Sequence, residues 1–170
     1  MSPRLQEPAR VDHGRLAGLY RQHSDRAVRL AYLLTGDAAL AEDLMQDAFV
    51  KLAGRLAHLR DPGAFDAYLR RTVVNLANSH FRRRKVERRY VERMGKDPRV
   101  EGPGAPAPED RDELWSALQR LSPRQRAAIV LRFYEDLSEE RTAEVLRCPR
   151  GTVKSLVSRG LETLRTEVGR

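Results

Sequence analysis

Leu137-Ser138-Glu139-Glu140-Arg141-Thr142-Ala143-Glu144-Val145-Leu146, followed by Gly151-Thr152-Val153-Lys154-Ser155-Leu156-Val157-Ser158-Arg159, reads as two short helices joined by a tight turn. Ser138 suits a helix cap, and Glu139 and Glu140 stand where the helix dipole favours negative charge. In the second helix Val153, Leu156, Val157 and Leu164 fall at i, i+3, i+4 and i+11. They make one buried face, and Gly160 at i+7 lets a neighbouring helix come close. Thr152, Lys154, Ser155, Ser158 and Arg159 lie on the other face or its flanks, with Arg150 in the turn before them. Hydroxyls and cations can bond base edges and phosphates, and free amides at a helix start suit a phosphate, so this pattern fits a helix lying in a DNA major groove. The structural alternative is a solvated face of a three-helix domain.

Working back from that stretch, Ser122-Pro123-Arg124-Gln125 has the form of a capping box with Pro at the first helical position. Ile129, Val130, Leu131 and Phe133 carry the next helix into the core, and helix signals before it begin at Leu114, Leu118 and Leu121. Residues 97–110 hold four prolines and two glycines and read as a linker. Before the linker, Leu16, Leu19, Tyr20, Ala27, Leu30, Ala31 and Leu34 describe one face of a helix that Thr35-Gly36-Asp37 ends. Ala41, Leu44, Met45, Ala48, Phe49 and Leu52 give the most regular helix, with Glu42, Asp43, Gln46 and Asp47 opposite. After a loop at Asp61-Pro62-Gly63, a third helix is expected to bury Phe65, Tyr68, Leu69, Thr72, Val73 and Leu76 and to leave Arg70, Arg71, Asn75, Asn78 and Ser79 outside. No strand pattern or internal repeat occurs, so the expected fold is all-α. It consists of two small helical domains, 14–96 and 111–168, joined by the Pro/Gly-rich linker, the C-terminal one a helix-turn-helix.

The composition narrows the partner. Thirty-two Lys and Arg against 24 Asp and Glu leave the 170-residue chain at +8, a bias towards a polyanion, with nucleic acid ahead of a membrane surface. No run of 18 apolar residues exists and Met1 to His13 lack a signal peptide's apolar segment, so no membrane is expected and the cytoplasm is the expected location. Cys148 is the only cysteine, which excludes an internal disulfide and a cysteine-rich zinc site. No phosphate loop, helix-borne His pair or nucleophile elbow is present, so neither enzyme activity nor a cofactor or metal is expected.

Two further segments bear on function. Residues 82–96 hold eight Lys or Arg, beginning with Arg82 and Arg83, and extend the helix that bears Phe65, Tyr68, Asn75 and Asn78. Cations, amides and rings near one another are what single-stranded DNA requires, although both aromatic rings also suit a core. The acidic face of Glu42, Asp43 and Asp47 repels DNA and invites a protein partner, unless it is only a solvated helix face.

On these residues the chain resembles an extracytoplasmic-function sigma factor of bacterial RNA polymerase. Leu33-Leu34-Thr35-Gly36-Asp37 with Ala41 to Phe49 looks like the helix that docks on the polymerase, and Ala67 to Asn75 with Ser79 and Arg82-Arg83 looks like the segment that melts and reads the minus-ten element. Leu121 to Arg126, Tyr134 to Glu139, Thr142-Ala143 and Gly151 to Ser155 with Ser158-Arg159 resemble domain four, which binds the minus-thirty-five element. The resemblance spans roughly residues 14–168 in the right order, and two of its forms are similar to an actinobacterial subgroup.

It implies core polymerase and promoter DNA as partners, and an anti-sigma protein as a third. Asp43, Gln46 and Asp47, with Glu42 beside them, are implied at the polymerase. Phe65, Tyr68, Asn75, Asn78, Arg82 and Arg83 are implied near the melted strand, and Arg150, Thr152, Lys154, Ser155, Ser158 and Arg159 on upstream duplex. Many family members carry Trp where Tyr68 stands. Arg147 stands where the turn often has Gly, and a left-handed conformation there costs a non-Gly residue about 1–2 kcal/mol. Nothing follows Arg170, so no fused regulatory domain is expected. A free-standing helix-turn-helix regulator on a twofold-symmetric operator, and a helical adaptor for RNA or phosphoprotein, stay open at this point.

Overall fold

A computed structural model of the chain describes residues 13–56, 59, 61–95 and 113–168. The described residues form helices and no strands: α1 (His13–Thr35), α2 (Ala38–Ala53) and α3 (Pro62–Arg93), then α4 (Glu113–Arg120), α5 (Pro123–Ile129), α6 (Glu139–Leu146) and α7 (Arg150–Val168). The expected linker, residues 97–110, lies outside the described residues.

Side chains set the helix boundaries. Asp37 begins α2 by accepting from the Leu40 amide at 3.0 Å, and Gly36, at φ 76°, turns the chain between α1 and α2. Asp61 begins α3 by accepting from the Gly63 amide at 2.9 Å. Ser122 and Gln125 form a reciprocal capping box on α5, and Ser138 accepts from the Arg141 amide to start α6. Each such cap is worth about 1 kcal/mol.

In the N-terminal bundle α1, α2 and α3 pack together around Leu30, Leu34, Leu44, Met45, Phe49, Phe65, Leu69 and Val73. Phe49 is the hinge of an aromatic set, edge-on to Tyr20 at 5.0 Å and tilted on Phe65 at 5.5 Å. In the C-terminal bundle Ala117, Leu121, Ile129 and Leu164 form a cluster of their own. Gly160 lets α5 and α7 come close there: a Cβ would meet the Ile129 Cδ1 at 2.5 Å, so the isoleucine would have to shift.

Three expectations about burial are corrected. Tyr68 is 47% exposed rather than core, while Val74 and Ala77 are buried. Arg70 is not outside: it is turned inwards onto Glu135. Phe133 is 60% exposed, because α5 does not continue as a regular helix. Val130–Tyr134 instead make a π-helical turn whose closing bond runs from the Glu135 amide to the Val130 carbonyl at 3.0 Å. The extra residue per turn moves Phe133 off the buried face and points Glu135 inwards.

The two bundles are not independent. Ala127, Ala128, Val130, Leu131, Val145 and Leu146 belong to the same continuous apolar cluster as Leu30, Leu34, Val74 and Ala77. With four buried apolar side chains in its own cluster among the described residues, the C-terminal bundle completes its apolar packing on the N-terminal one, as its small size would favour.

Candidate nucleic-acid interface

The helix-turn-helix is built from α6 and α7. Arg147 closes α6 in the left-handed region, φ 51° and ψ 51°, with its amide and that of Cys148 directed at the carbonyls of Glu144 and Ala143. The strain expected at this non-Gly residue is therefore accepted in the fold. Val153 is fully buried, Gly160 and Leu164 are buried, and Leu156 and Val157 are half-buried. That anchoring leaves Lys154, Ser155, Ser158 and Arg159 exposed and Thr152 half-exposed, with exposed Arg150 at the first position of α7.

This face carries its own counter-charges. Arg150 binds Glu139 at 2.9 Å and Glu140 at 2.7 Å, and the Lys154 ammonium lies 3.8 Å from Glu139. The hydrogen bond to Glu139 and the charge of Glu140 hold the Arg150 guanidinium even more firmly protonated than usual. Arg159 makes no ion pair among the described residues, so no carboxylate there competes with a ligand for it.

A second face runs along α3. Tyr68, Asn75 and Arg82 recur every seven residues, two helical turns apart, and so lie along one side. Tyr68, Arg82 and Arg83 are exposed, and Asn75 and Asn78 are half-buried. Phe65 does not join them. It is 1% exposed, tilted on Phe49 and 5.4 Å from the His23 ring, and a residue so enclosed cannot stack on a base in this conformation. Three residues before Tyr68, it falls on the side of α3 that packs on α1 and α2.

The third face is α2. Glu42, Asp43, Gln46 and Asp47 are all exposed. Val50, which the residue pattern did not flag, is 74% exposed on the same side, three residues after Asp47 and seven after Asp43. The available signal was an apolar residue at a position where the period calls for a polar one. Lone exposed apolar residues are common, so only its neighbours give it meaning. No group of described His, Cys, Asp and Glu is arranged to hold a metal ion, and no described helix is long and apolar enough to cross a membrane.

Comparison with known proteins adds to this geometry. The family profile described as Sigma-70 region 2 matches residues 19–87, and that described as Sigma-70, region 4 matches residues 111–164. The RNA polymerase sigma-E factor of Streptomyces coelicolor is 37% identical over 148 residues, covering 87% of this chain and 82% of the relative. The ECF RNA polymerase sigma factor SigE of Mycolicibacterium smegmatis is 37% identical over 154 residues, covering 86% of this chain and 59% of the relative. Among solved structures, the sigma factor RpoE of Bartonella quintana, crystallised with the anti-sigma factor NepR, has a TM-score of 0.70 at 25% identity and covers 91% of this chain and 97% of its own.

Proposed function

We propose, from the premise that this chain belongs to the sigma-70 family as an extracytoplasmic-function sigma factor, that its three exposed faces divide the work of starting transcription. As a member of that family it is an alternative sigma factor: it binds core RNA polymerase, directs promoter-specific initiation and has no catalytic activity of its own.

The α2 face of Glu42, Asp43, Gln46 and Asp47, with Val50 among them, docks on the polymerase. The α3 face of Tyr68, Asn75, Asn78, Arg82 and Arg83 captures the strand that parts at the minus-ten element: the ring stacks, the amides read base edges and the cations neutralise phosphate. The α7 face of Arg150, Thr152, Lys154, Ser155, Ser158 and Arg159 enters the major groove of the minus-thirty-five element. The domain boundaries proposed for these tasks are 14–96 and 111–168. The protein works in the cytoplasm, where polymerase and DNA are. An inhibitor of the kind crystallised with the Bartonella relative would act by covering these faces.

The observation that carries the assignment is that two unlike basic faces, one beside an exposed tyrosine and one on a helix-turn-helix, share a chain with a separate acidic face. A twofold-symmetric regulator needs none of that asymmetry. Purified core polymerase with this chain should initiate at discrete start sites on genomic templates and should co-elute with it on size exclusion. Transcripts that do not depend on the added chain, or a chain that elutes as a symmetric dimer on DNA without polymerase, would overturn the reading.

A further inference from the structure

The last three turns of α3 stand clear of both bundles. The buried side of the helix runs through Leu69, Val73 and Ala77 to half-buried Phe81, but the next positions of that side, Arg84 and Arg88, are charged. Nothing apolar is left there to pack, and every residue from Arg82 to Tyr90 is exposed. Residues 82–93 hold seven Lys or Arg against Glu87 and Glu92. Arg82, Arg83, Lys85, Arg88, Arg89 and Arg93 make no ion pair among the described residues. On this charged rod Val86, Tyr90 and Met94 are 62%, 64% and 59% exposed. They follow one another at four-residue intervals, which makes an apolar stripe rather than scattered single side chains, and Arg82, Arg89 and Arg93 run along its edge. The stripe is in line with Tyr68: Val86 lies 18 residues further on, or five helical turns, so the two are on the same side of α3 about 27 Å apart.

We propose that Val86 and Tyr90 are specificity-determining residues that read thymine methyl groups in the major groove of the duplex just upstream of the minus-ten element. The inference rests on the sigma-factor reading, which puts Tyr68 at the melted strand. Strands that part at minus-ten are open towards the start site, so the duplex nearest to Tyr68 lies upstream. About 27 Å of helix reaches at most about eight base pairs into it at 3.4 Å per step. The excess of unpaired cations favours a polyanion over a protein as the occupant of the stripe, and the unbroken helix carries the DNA-facing side of Tyr68, Asn75 and Arg82 straight onto it. The major groove admits an α-helix between two rows of phosphates. Cations beside the stripe meet those phosphates, which position the helix but carry no sequence information. Valine has neither donor nor acceptor, so its base-specific contact is apolar, and the C5 methyl of thymine is the apolar group that base edges display in that groove.

The test uses holoenzyme assembled from core polymerase and the full chain, on promoter templates randomised over that upstream segment. Templates held in heparin-resistant open complexes and then sequenced should be enriched in thymine at one or two positions there. Replacing those thymines with deoxyuridine, which removes only the methyl, should weaken open-complex formation about fourfold per methyl, the equivalent of one buried methyl group. With Val86→Ser, and separately with Tyr90→Ser, thymine and deoxyuridine templates should perform alike at the position that each side chain touches. The slope of log affinity against log salt should stay as in the wild type, because no charge is lost. Both side chains are exposed, so thermal denaturation should not separate the variants from the wild type. A wild type without thymine preference, or a deoxyuridine penalty that persists in both variants, would overturn the inference alone. Variants that lose affinity for core polymerase without DNA would overturn it too, since the stripe would then belong to a protein partner. Absence of any transcript that depends on the added chain would sink the sigma-factor reading, and this inference with it.

Discussion

Glu135 accepts a 2.6 Å bond from Arg70 although 65 residues separate them, and the carboxylate is buried while it does so. The π-helical turn that precedes Glu135 and the left-handed Asp136 (φ 51°) after it aim the side chain across the boundary between the bundles. Its other oxygen has no hydrogen-bond partner among the described residues, so the interaction is concentrated in one acceptor atom.

Glu135→Gln should therefore cost about 1.5–3 kcal/mol in chemical denaturation, the range for hydrogen bonds to charged groups. Arg70 and Arg26 would keep a neutral neighbour in place of their shared counter-charge. Asp66→Asn should cost less, because Asp66 keeps 29% of its side chain exposed and solvent screens it. Equal losses for both would show that the buried carboxylate is not the dominant partner.

Much of this molecule was legible in its sequence where the cause is local. The α2 period placed Ala41, Leu44, Met45, Ala48, Phe49 and Leu52 inside and its acids outside, and Ser122 with Gln125 announced a capping box that the fold contains. What the sequence could not reveal depends on partners far along the chain. Arg70 reads as a solvent-facing cation until Glu135 is beside it, and Val74 gains its place in the apolar cluster to which both bundles contribute. Phe65 and Tyr68 were indistinguishable in pattern, since both are aromatic and three residues apart. Only the packing of α3 on α1 and α2 separates the enclosed ring from the exposed one. The π-helical turn has no periodic signature at all, which is why Phe133 was misplaced.

Val50→Asn should weaken binding to core polymerase by about 1–2 kcal/mol, as expected for an apolar side chain desolvated at the middle of an interface. With 74% of its surface exposed in the free chain, the valine contributes little to folding. Titration of labelled chain with core enzyme measures the effect, and thermal denaturation serves as its control. An unchanged affinity would move the polymerase contact away from this side of α2.

His80 gives the stability of the chain a pH dependence. Burial, then the charges of Arg84 and Arg83, hold its imidazole below the ordinary value of 6.5, outweighing Asp37 and Glu87. The folded chain thus binds fewer protons than the unfolded chain in the window below 6.5, so this stability is fully present above that value and is lost as pH falls through the lowered one. Between about pH 7.5 and about pH 5.5 the wild type should lose more stability than His80→Gln, measured by urea midpoints. Parallel losses would assign the acid sensitivity elsewhere.

Arg159→Ala should cost about 1–3 kcal/mol on the cognate upstream element, once transcript 5′ ends have located a promoter, and far less on unrelated duplex. Arg83→Ala should instead weaken binding by a similar factor on every sequence and shallow its salt dependence, because phosphate contacts carry no base information. An equal loss on all sequences with Arg159→Ala would make that side chain another phosphate contact.

Glu139→Gln should tighten binding to duplex DNA. Glu139 now occupies Arg150 at 2.9 Å and Lys154 at 3.8 Å, and both cations must abandon it, at least partly, to meet phosphates. Neutralising it frees Lys154 and removes one negative charge from the face, whereas Glu140 still holds Arg150 at 2.7 Å. One further phosphate contact adds about 0.9 to the slope of log affinity against log salt. A steeper slope with higher affinity at low salt is therefore expected in fluorescence anisotropy, with the gain spread over specific and unrelated duplex alike. The same change takes a favourable charge from the first turn of α6, costing about 0.3–1 kcal/mol of stability. Affinity and stability should thus move in opposite directions. A variant that loses both would mean that Glu139 orients Arg150 for the groove instead of competing for it.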